Sequence, residues 1–300
     1  MENVKNIKKI DIHAHATAFP GIYPYCPASA NFLSAEDVIS VYDKIGVEKG
    51  VLLPLVAPDG IIAPMTTEAT KWLVDQYADR FFWFGNVDPR AVGNHGDAPL
   101  DQLIAAYKEL GAKGIGEVTA SIWLDDHRAD NLFACCAELD MPVTIHVSVE
   151  PDSYGIADDL GLPRLEKVLK KHPKLKLLGH SQVFWSEISA DNNEQTRNTY
   201  PVGKVKEGRV AKLLRDYENL YCDLSAGSGA NAFMRDPDYA AQFIDEFADR
   251  MLYGCDLCSL ESKFPYAFRD FFDKMLDDGM IKAENYCKII RDNAVELLKL

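Results

Sequence analysis

Short apolar runs alternate with amphipathic stretches along the whole chain, and this alternation constrains the fold more than any other feature. Runs at 7–15, 50–56, 81–87, 113–118, 142–149, 175–180, 220–225 and 251–255 read as strands. Stretches at 34–46, 66–80, 99–111, 132–140, 162–172, 208–217, 238–248, 264–276 and 286–298 read as helices. The segment 142–149 is the most β-like, because its β-branched side chains suit a pleated surface. Several runs are apolar throughout, as strands buried on both faces must be. Ser34 and Asp37 fit a capping box, and Gly46 fits a helix stop. Eight strands, each followed by a helix, predict an α/β fold closed as a TIM (β/α)8 barrel. An open doubly wound sheet would carry a glycine-rich loop after its first strand, where this chain has His-Ala-His-Ala-Thr-Ala-Phe-Pro. One barrel domain over 1–300 is expected, with an insertion near 186–205, the longest irregular stretch.

The composition narrows the function classes. With 32 basic and 46 acidic residues the formal charge is −14, which opposes non-specific binding to nucleic acid or anionic lipid. No apolar run approaches the ~20 residues of a membrane span, and the first fifteen residues do not read as a signal peptide. The seven cysteines (Cys26, Cys135, Cys136, Cys222, Cys255, Cys258 and Cys287) form no disulfide-type framework and read as reduced thiols of a cytoplasmic protein. Cys255 and Cys258 have CxxC spacing, but a structural zinc site usually needs a second such pair or two histidines. The expected partner is a small-molecule substrate, with no nucleic acid and no membrane.

The chemistry lies in the histidines. His13 and His15 close the first strand, and side chains two residues apart on a strand share a face, so both imidazoles can reach one metal. His146 and His180 end the fifth and sixth strands, Glu117 the fourth and Asp256 the eighth. The C-terminal strand ends are the catalytic face of such a barrel. Six metal-ligating or acid–base groups therefore converge on one rim. Imidazoles with carboxylates suit zinc first, with manganese, iron or nickel as alternatives. A metal with an open position lowers the pKa of bound water, and a neighbouring carboxylate or imidazole can take its proton. His95, His127 and His172 read as surface residues.

With these residues in this order, the chain resembles the amidohydrolase superfamily. Within it, the chain resembles the amidohydrolase-related branch that contains aminocarboxymuconate-semialdehyde and resorcylate decarboxylases. The resemblance runs from Ile-Asp-Ile-His-Ala-His to Asp-Asn-Ala-Val-Glu-Leu-Leu. It implies a distorted TIM barrel with one or two divalent ions. In the single-metal form, His13, His15, His146 and Asp256 would bind the ion, and His180 would stay free as an acid–base group or substrate contact. In two-metal relatives a carboxylate or carbamylated lysine after strand four bridges the ions, and the strand-five and strand-six histidines bind the second. Gly116-Glu117 resembles the Gly-Glu of deoxyribonuclease-like relatives, which makes Glu117 the bridging candidate; Lys113 sits too deep. Relatives are often oligomers, so a homo-oligomer is a modest expectation.

Other residues are expected to touch substrate. Trp185 follows His180 and could wall the site, Arg235 could clamp a carboxylate, and Tyr154 could donate a hydroxyl. Asp223, inside the seventh strand, reads as structural. The first functional expectation is a metal-dependent hydrolase in which metal-activated water attacks a carbonyl or ester-type centre and Asp256 shuttles the proton. The alternative is a non-oxidative decarboxylase or hydratase of an aromatic or unsaturated carboxylic acid, with His180 or Asp256 moving a proton at carbon.

Overall fold

The computed structural model describes residues 2–21, 32–57 and 65–300. Its strands are β1 (Lys9–Ala14), β2 (Val47–Leu52), β3 (Phe81–Trp83), β4 (Ile115–Val118), β5 (Ala120–Trp123), β6 (Val143–Ser148), β7 (Gly155–Ala157), β8 (Leu177–His180), β9 (Leu220–Asp223) and β10 (Met251–Leu252). Every strand pairing is parallel. β1, β2 and β3 pair in order, and β4, β6, β8, β9 and β10 continue the ring. Gly85 joins the two arcs: its N–H donates to the Gly114 carbonyl and its carbonyl accepts from Gly116, both at 2.9 Å. The ring closes where Ile12 N–H donates to the Tyr253 carbonyl (3.1 Å) and Asp256 N–H to the His13 carbonyl (2.8 Å). Eight strands thus form the TIM barrel that the alternation predicts.

β5 and β7 are the unexpected strands. They pair with each other, and β7 pairs with the end of β6, extending the sheet above the barrel. Their sequences, Ala-Ser-Ile-Trp and Gly-Ile-Ala, are not set in a longer apolar run as those of the barrel strands are.

Local sequence sets the element ends. Helix Ala35–Ile45 starts at the Ser34–Asp37 capping box and stops at Gly46, whose φ of 79° is left-handed. Helix His127–Glu138 begins before its apolar periodicity does, because the Asp126 side chain accepts from Arg128 N–H and starts a polar first turn. The last helical stretch is broken by a π-helical turn at Lys288–Asp292, within which the Ile289 carbonyl accepts from Tyr253 N–H at 2.9 Å beside the closing seam.

Two apolar layers hold the barrel. Ile10, Ile12, Val51, Leu53, Phe84, Leu178 and Leu252 form one cluster with Ala294, Leu297 and Leu298 of helix Asn293–Leu298. The larger cluster lies between the sheet and the outer helices. One buried polar brace links the layers. Tyr42 packs over bare Gly50, where a Cβ would fall 2.0 Å from its hydroxyl oxygen. That hydroxyl donates to Asp11 Oδ2 at 2.7 Å, and Asp11 Oδ1 accepts from the backbone of His13 and Cys255, each at 2.9 Å. Burial pushes the Asp11 carboxyl up to about 6.

Between helices Gln182–Ser186 and Arg209–Asp216 the chain makes only an isolated bridge, Ser189 to Glu207. This stretch is anchored by Arg197, whose Nη2 donates to the Asp158 carbonyl at 2.6 Å. The Asp158 carboxylate in turn accepts from Asp159, Arg164 and Leu165 N–H at 2.8, 3.0 and 2.8 Å. It thereby caps helix Pro163–Lys171, which has no side-chain cap at Leu162. Asp158→Ala orphans these donors and is expected to lower the unfolding free energy by about 2–3 kcal/mol. A urea titration checks this, with Asp158→Asn losing less.

Candidate metal centre

The ends of β1, β4, β6, β8 and β9 and the turn after β10 deliver the site. His13 and His15 face each other with Nε2 atoms 3.0 Å apart. Each ring is oriented from behind. His13 Nδ1 lies 2.5 Å from Asp223 Oδ2, and His15 Nδ1 lies 2.8 Å from the Leu53 carbonyl. A carbonyl only accepts, so the His15 proton sits on Nδ1. The carboxylate asks the same of His13. With their Nδ1 protons so placed, both Nε2 atoms would turn lone pairs to each other when the rings are neutral. Around them lie Glu117 Oε2, 3.4 Å from His15 and 3.6 Å from His13, and Asp256 Oδ1, 3.5 and 3.8 Å away. Facing lone pairs beside the buried Glu117 and the partly buried Asp256 carboxylates repel one another unless a cation or a proton lies among them. The donor set fits a divalent ion on this ground, and carbonyl–histidine and carboxylate–histidine bonds are the usual outer supports of such ions.

The surrounding carboxylates draw positive charge to this spot, as a proton on His13 where no ion takes that place. Burial opposes a charge on His13, yet the carboxylates of Asp223, Asp256 and Glu117 outweigh it and raise its pKa well above the usual range. Burial pushes Glu117 up, but His146 and His13 bring it well below the usual carboxylate range. Asp256, likewise buried, is held low by His13, His180 and His15.

Glu117 has two faces. Its Oε2 looks toward His13 and His15, while Oε1 lies 2.7 Å from His146 Nδ1 and 3.9 Å from His180 Nε2. The Tyr154 hydroxyl donates to Oε2 at 3.2 Å, and the Tyr154 ring meets His146 edge-on at 4.7 Å. His180 Nδ1 pairs with Ser225 Oγ at 3.0 Å, and its Nε2 lies 3.6 Å from Asp256 Oδ2.

The structure therefore brings together His13, His15, Glu117, His146, His180, Asp256 and Tyr154. Ligand-distance groupings form around His13, His15 and Asp256, and around His13, Glu117 and His180. His146 lies in neither grouping; its Nδ1 is turned to Glu117. Trp185 lies in the core, where its indole N–H donates to the Asp223 carbonyl at 2.9 Å. It supports the strand that orients His13 rather than walling the site. Arg235 caps the C-terminus of helix Ala226–Met234, the opposite end from Ser225, which meets His180. Burial lowers its pKa against the pull of Asp191 and Asp236, and its Nε and Nη2 have no hydrogen-bond partner among the described residues. Lys204, not Arg235, takes the Asp236 and Asp238 carboxylates, at 2.8 and 2.9 Å.

Three supports escaped the sequence reading: Asp223 behind His13, Ser225 behind His180, and Cys258, whose thiol donates to Asp256 Oδ1 at 3.3 Å. Asp223 and Ser225 were detectable, since they end a barrel strand as the ligands do. The Cys255 thiol turns instead to the Tyr253 hydroxyl, so the CxxC pair has divided loyalties. No described cysteine is in a disulfide, and Cys26 lies outside the described residues. Of the remaining histidines, the side chains of His95 and His127 are 57% and 68% exposed, as expected, whereas His172 is tucked against Asp130 at 2.9 Å. Among the described residues, no helix is long and apolar enough to cross a membrane.

A family model described as Amidohydrolase matches residues 10–300, and the chain belongs to that family. Among curated proteins, none matches the sequence. Similar solved structures include 5-carboxyvanillate decarboxylase from Novosphingobium aromaticivorans, complexed with manganese and 4-hydroxy-3-methoxy-5-nitrobenzoic acid (19% identity, 99% of this chain and 97% of that one, TM-score 0.62). A second is dihydroxybenzoic acid decarboxylase from Polaromonas, with bound manganese and 2-nitroresorcinol (17%, 98% and 97%, 0.58). A third is a probable 2-pyrone-4,6-dicarboxylic acid hydrolase from Acinetobacter baumannii with citric acid bound (14%, 98% and 100%, 0.60). The decarboxylases fall in the group that the sequence resembles, and likenesses this distant show the shared fold.

Removing the support behind His13 is expected to loosen the ion. Asp223→Asn lowers divalent-metal affinity about 10–100-fold, read by equilibrium dialysis with metal analysis; unchanged affinity would free Asp223 from this role.

Proposed function

We propose that this protein is a metal-dependent, non-oxidative decarboxylase of an aromatic or unsaturated carboxylic acid. The observation that carries the reading is a donor cluster of His13, His15, Asp256 and Glu117 beside a separately held imidazole, His180. The likeness to two manganese-containing decarboxylases supports it and favours manganese over the zinc suggested by ligand type alone. His13, His15 and Asp256 would hold the ion with Glu117, and His146 would act through Glu117.

When bound, the ion supplies positive charge that orients and polarises the substrate's oxygens. The protein supplies the proton. Ser225 fixes the His180 ring through Nδ1, leaving Nε2 turned to the Asp256 side of the cluster. Protonated His180 gives its Nε2 proton to the carbon that bears the carboxylate. The bond to the carboxylate carbon then breaks, its electron pair returns to the substrate's unsaturated system, and carbon dioxide leaves. Tyr154, donating to Glu117, keeps that carboxylate's orientation while the charge shifts. Such proton transfer contributes about 10²–10⁴-fold in rate. His180→Asn is therefore expected to lower kcat by about that factor with metal content unchanged. Loss of metal from this variant would make His180 a ligand instead. Carbon dioxide release from hydroxybenzoic acids, without water consumed, tests the reaction itself.

One observation favours a second reading, hydrolysis with two ions. Glu117 offers Oε2 to the His13–His15 side and Oε1 to the His146–His180 side, as a bridging carboxylate would. Asp256 would then take the proton of the attacking water. Metal analysis separates the readings: two ions per chain falling to one in Glu117→Ala supports hydrolysis, and one ion unchanged removes Glu117 as a bridge.

A further inference from the structure

Two large aromatic side chains stand half exposed beside the metal centre without a core to pack in. Tyr200, from the irregular stretch after β8, is 44% exposed, and Phe264, which opens helix Phe264–Asp277 after β10, is 46% exposed. Their ring centroids are 6.2 Å apart at a 42° tilt, an open wedge rather than a closed stack. Both rest on Gly227. A Cβ there would fall 2.8 Å from the Phe264 ring and 3.1 Å from the Tyr200 hydroxyl oxygen.

Three connections tie this wedge to the centre, two of them short. Gly227 is two residues past Ser225, which holds His180. Gln182, two residues past His180, donates through Nε2 to the Tyr200 hydroxyl at 3.3 Å. The loop that begins at Asp256 ends at Phe264. Two residues of chain reach at most about 7 Å, so the wedge lies at the mouth of the metal-bearing rim. The Tyr200 hydroxyl is raised in pKa first by burial and, against its bond to Gln182, by the charge of Asp256. The loops that carry the pair also carry Val202 and Leu260, exposed at 89% and 54%.

We infer that Tyr200 and Phe264 form an aromatic clamp that selects substrates by the planarity of the body behind their metal-directed acid group. The inference deepens the decarboxylase reading and rests on it for the substrate's orientation. A flat ring presents its face to one clamp ring and its edge to the other, as aromatic pairs prefer, whereas a puckered saturated ring meets neither well. Gln182 sets the Tyr200 ring angle, and the missing side chain at Gly227 leaves the space in which the two rings meet.

The test is calorimetric binding to the manganese-loaded protein of 2-hydroxybenzoate and of its saturated counterpart, 2-hydroxycyclohexanecarboxylate. The wild type is expected to prefer the planar acid. Tyr200→Ala and Phe264→Ala are each expected to weaken planar-acid binding about 3- to 10-fold, with little change for the saturated acid and unchanged metal content. Phe264→Leu, apolar but not flat, is expected to behave like Phe264→Ala. Equal affinity for the two acids, no binding of the planar acid, or equal losses for both acids in the variants would overturn the clamp. Planar preference without carbon dioxide release would keep the clamp and remove decarboxylation. Carbon dioxide release with unaltered KM in both alanine variants would do the reverse.

Discussion

The seam between the first and last barrel strands is the constraint on which the site depends. The Asp256 N–H donates to the His13 carbonyl, so the bond that closes the ring also sets two members of the donor cluster side by side. Asp11 reinforces the seam from beneath by accepting from His13 and from Cys255, the latter 244 positions away. Tyr42 holds Asp11 from the outer layer. β1 serves both roles through a break in its regularity. In a regular strand Asp11 and His13 would share a face. Here the pairing with β2 shifts register between Asp11 and Ala14. Asp11 turns out to the helix layer while His13 turns in to Asp223.

The barrel was legible because its strands are buried on both faces and read as short apolar runs, while its helices are amphipathic and read as periodic stretches between them. The capping box at Ser34–Asp37 and the stop at Gly46 were legible for a different reason, since their chemistry is local. The donor cluster could be read from the placement of histidines and acids at strand ends. What could not be read is what depends on distance in three dimensions. Nothing near Asp223 in the sequence says that His13 stands behind it, and a main-chain carbonyl such as Leu53 has no side-chain signature at all. Trp185 shows the opposite error. Its position after His180 suggested a wall of the site, but an indole among Phe184 and Phe233, with a carbonyl within reach of its N–H, finds a better place in the core.

The centre gathers negative charge in a buried place, and each charged group has its compensation. Asp223 shares a proton with His13, Glu117 leans on His146 and Tyr154, and Asp256 receives the Cys258 thiol. Asp223, Glu117 and His146 come from separate strands and are buttressed by the loops that carry Tyr154 and Cys258, so the rings and carboxylates are held before any ligand arrives. Glu117 is the pivot of this arrangement. One of its oxygens belongs to the His13–His15 pair and the other to the His146–His180 pair, so the reaction available to the rim depends on what occupies the space on either side of a single carboxylate.

The other end of the barrel has a simpler consequence. The cluster of Ile10, Ile12, Val51, Leu53, Phe84, Leu178 and Leu252 is packed against the terminal helix through Ala294, Leu297 and Leu298. The barrel is therefore a cul-de-sac rather than a tunnel. Among the described residues this end of the barrel is closed, so a molecule that reaches the donor cluster approaches from the rim side. The packing that stabilises the barrel floor thus also fixes the side from which its rim is reached.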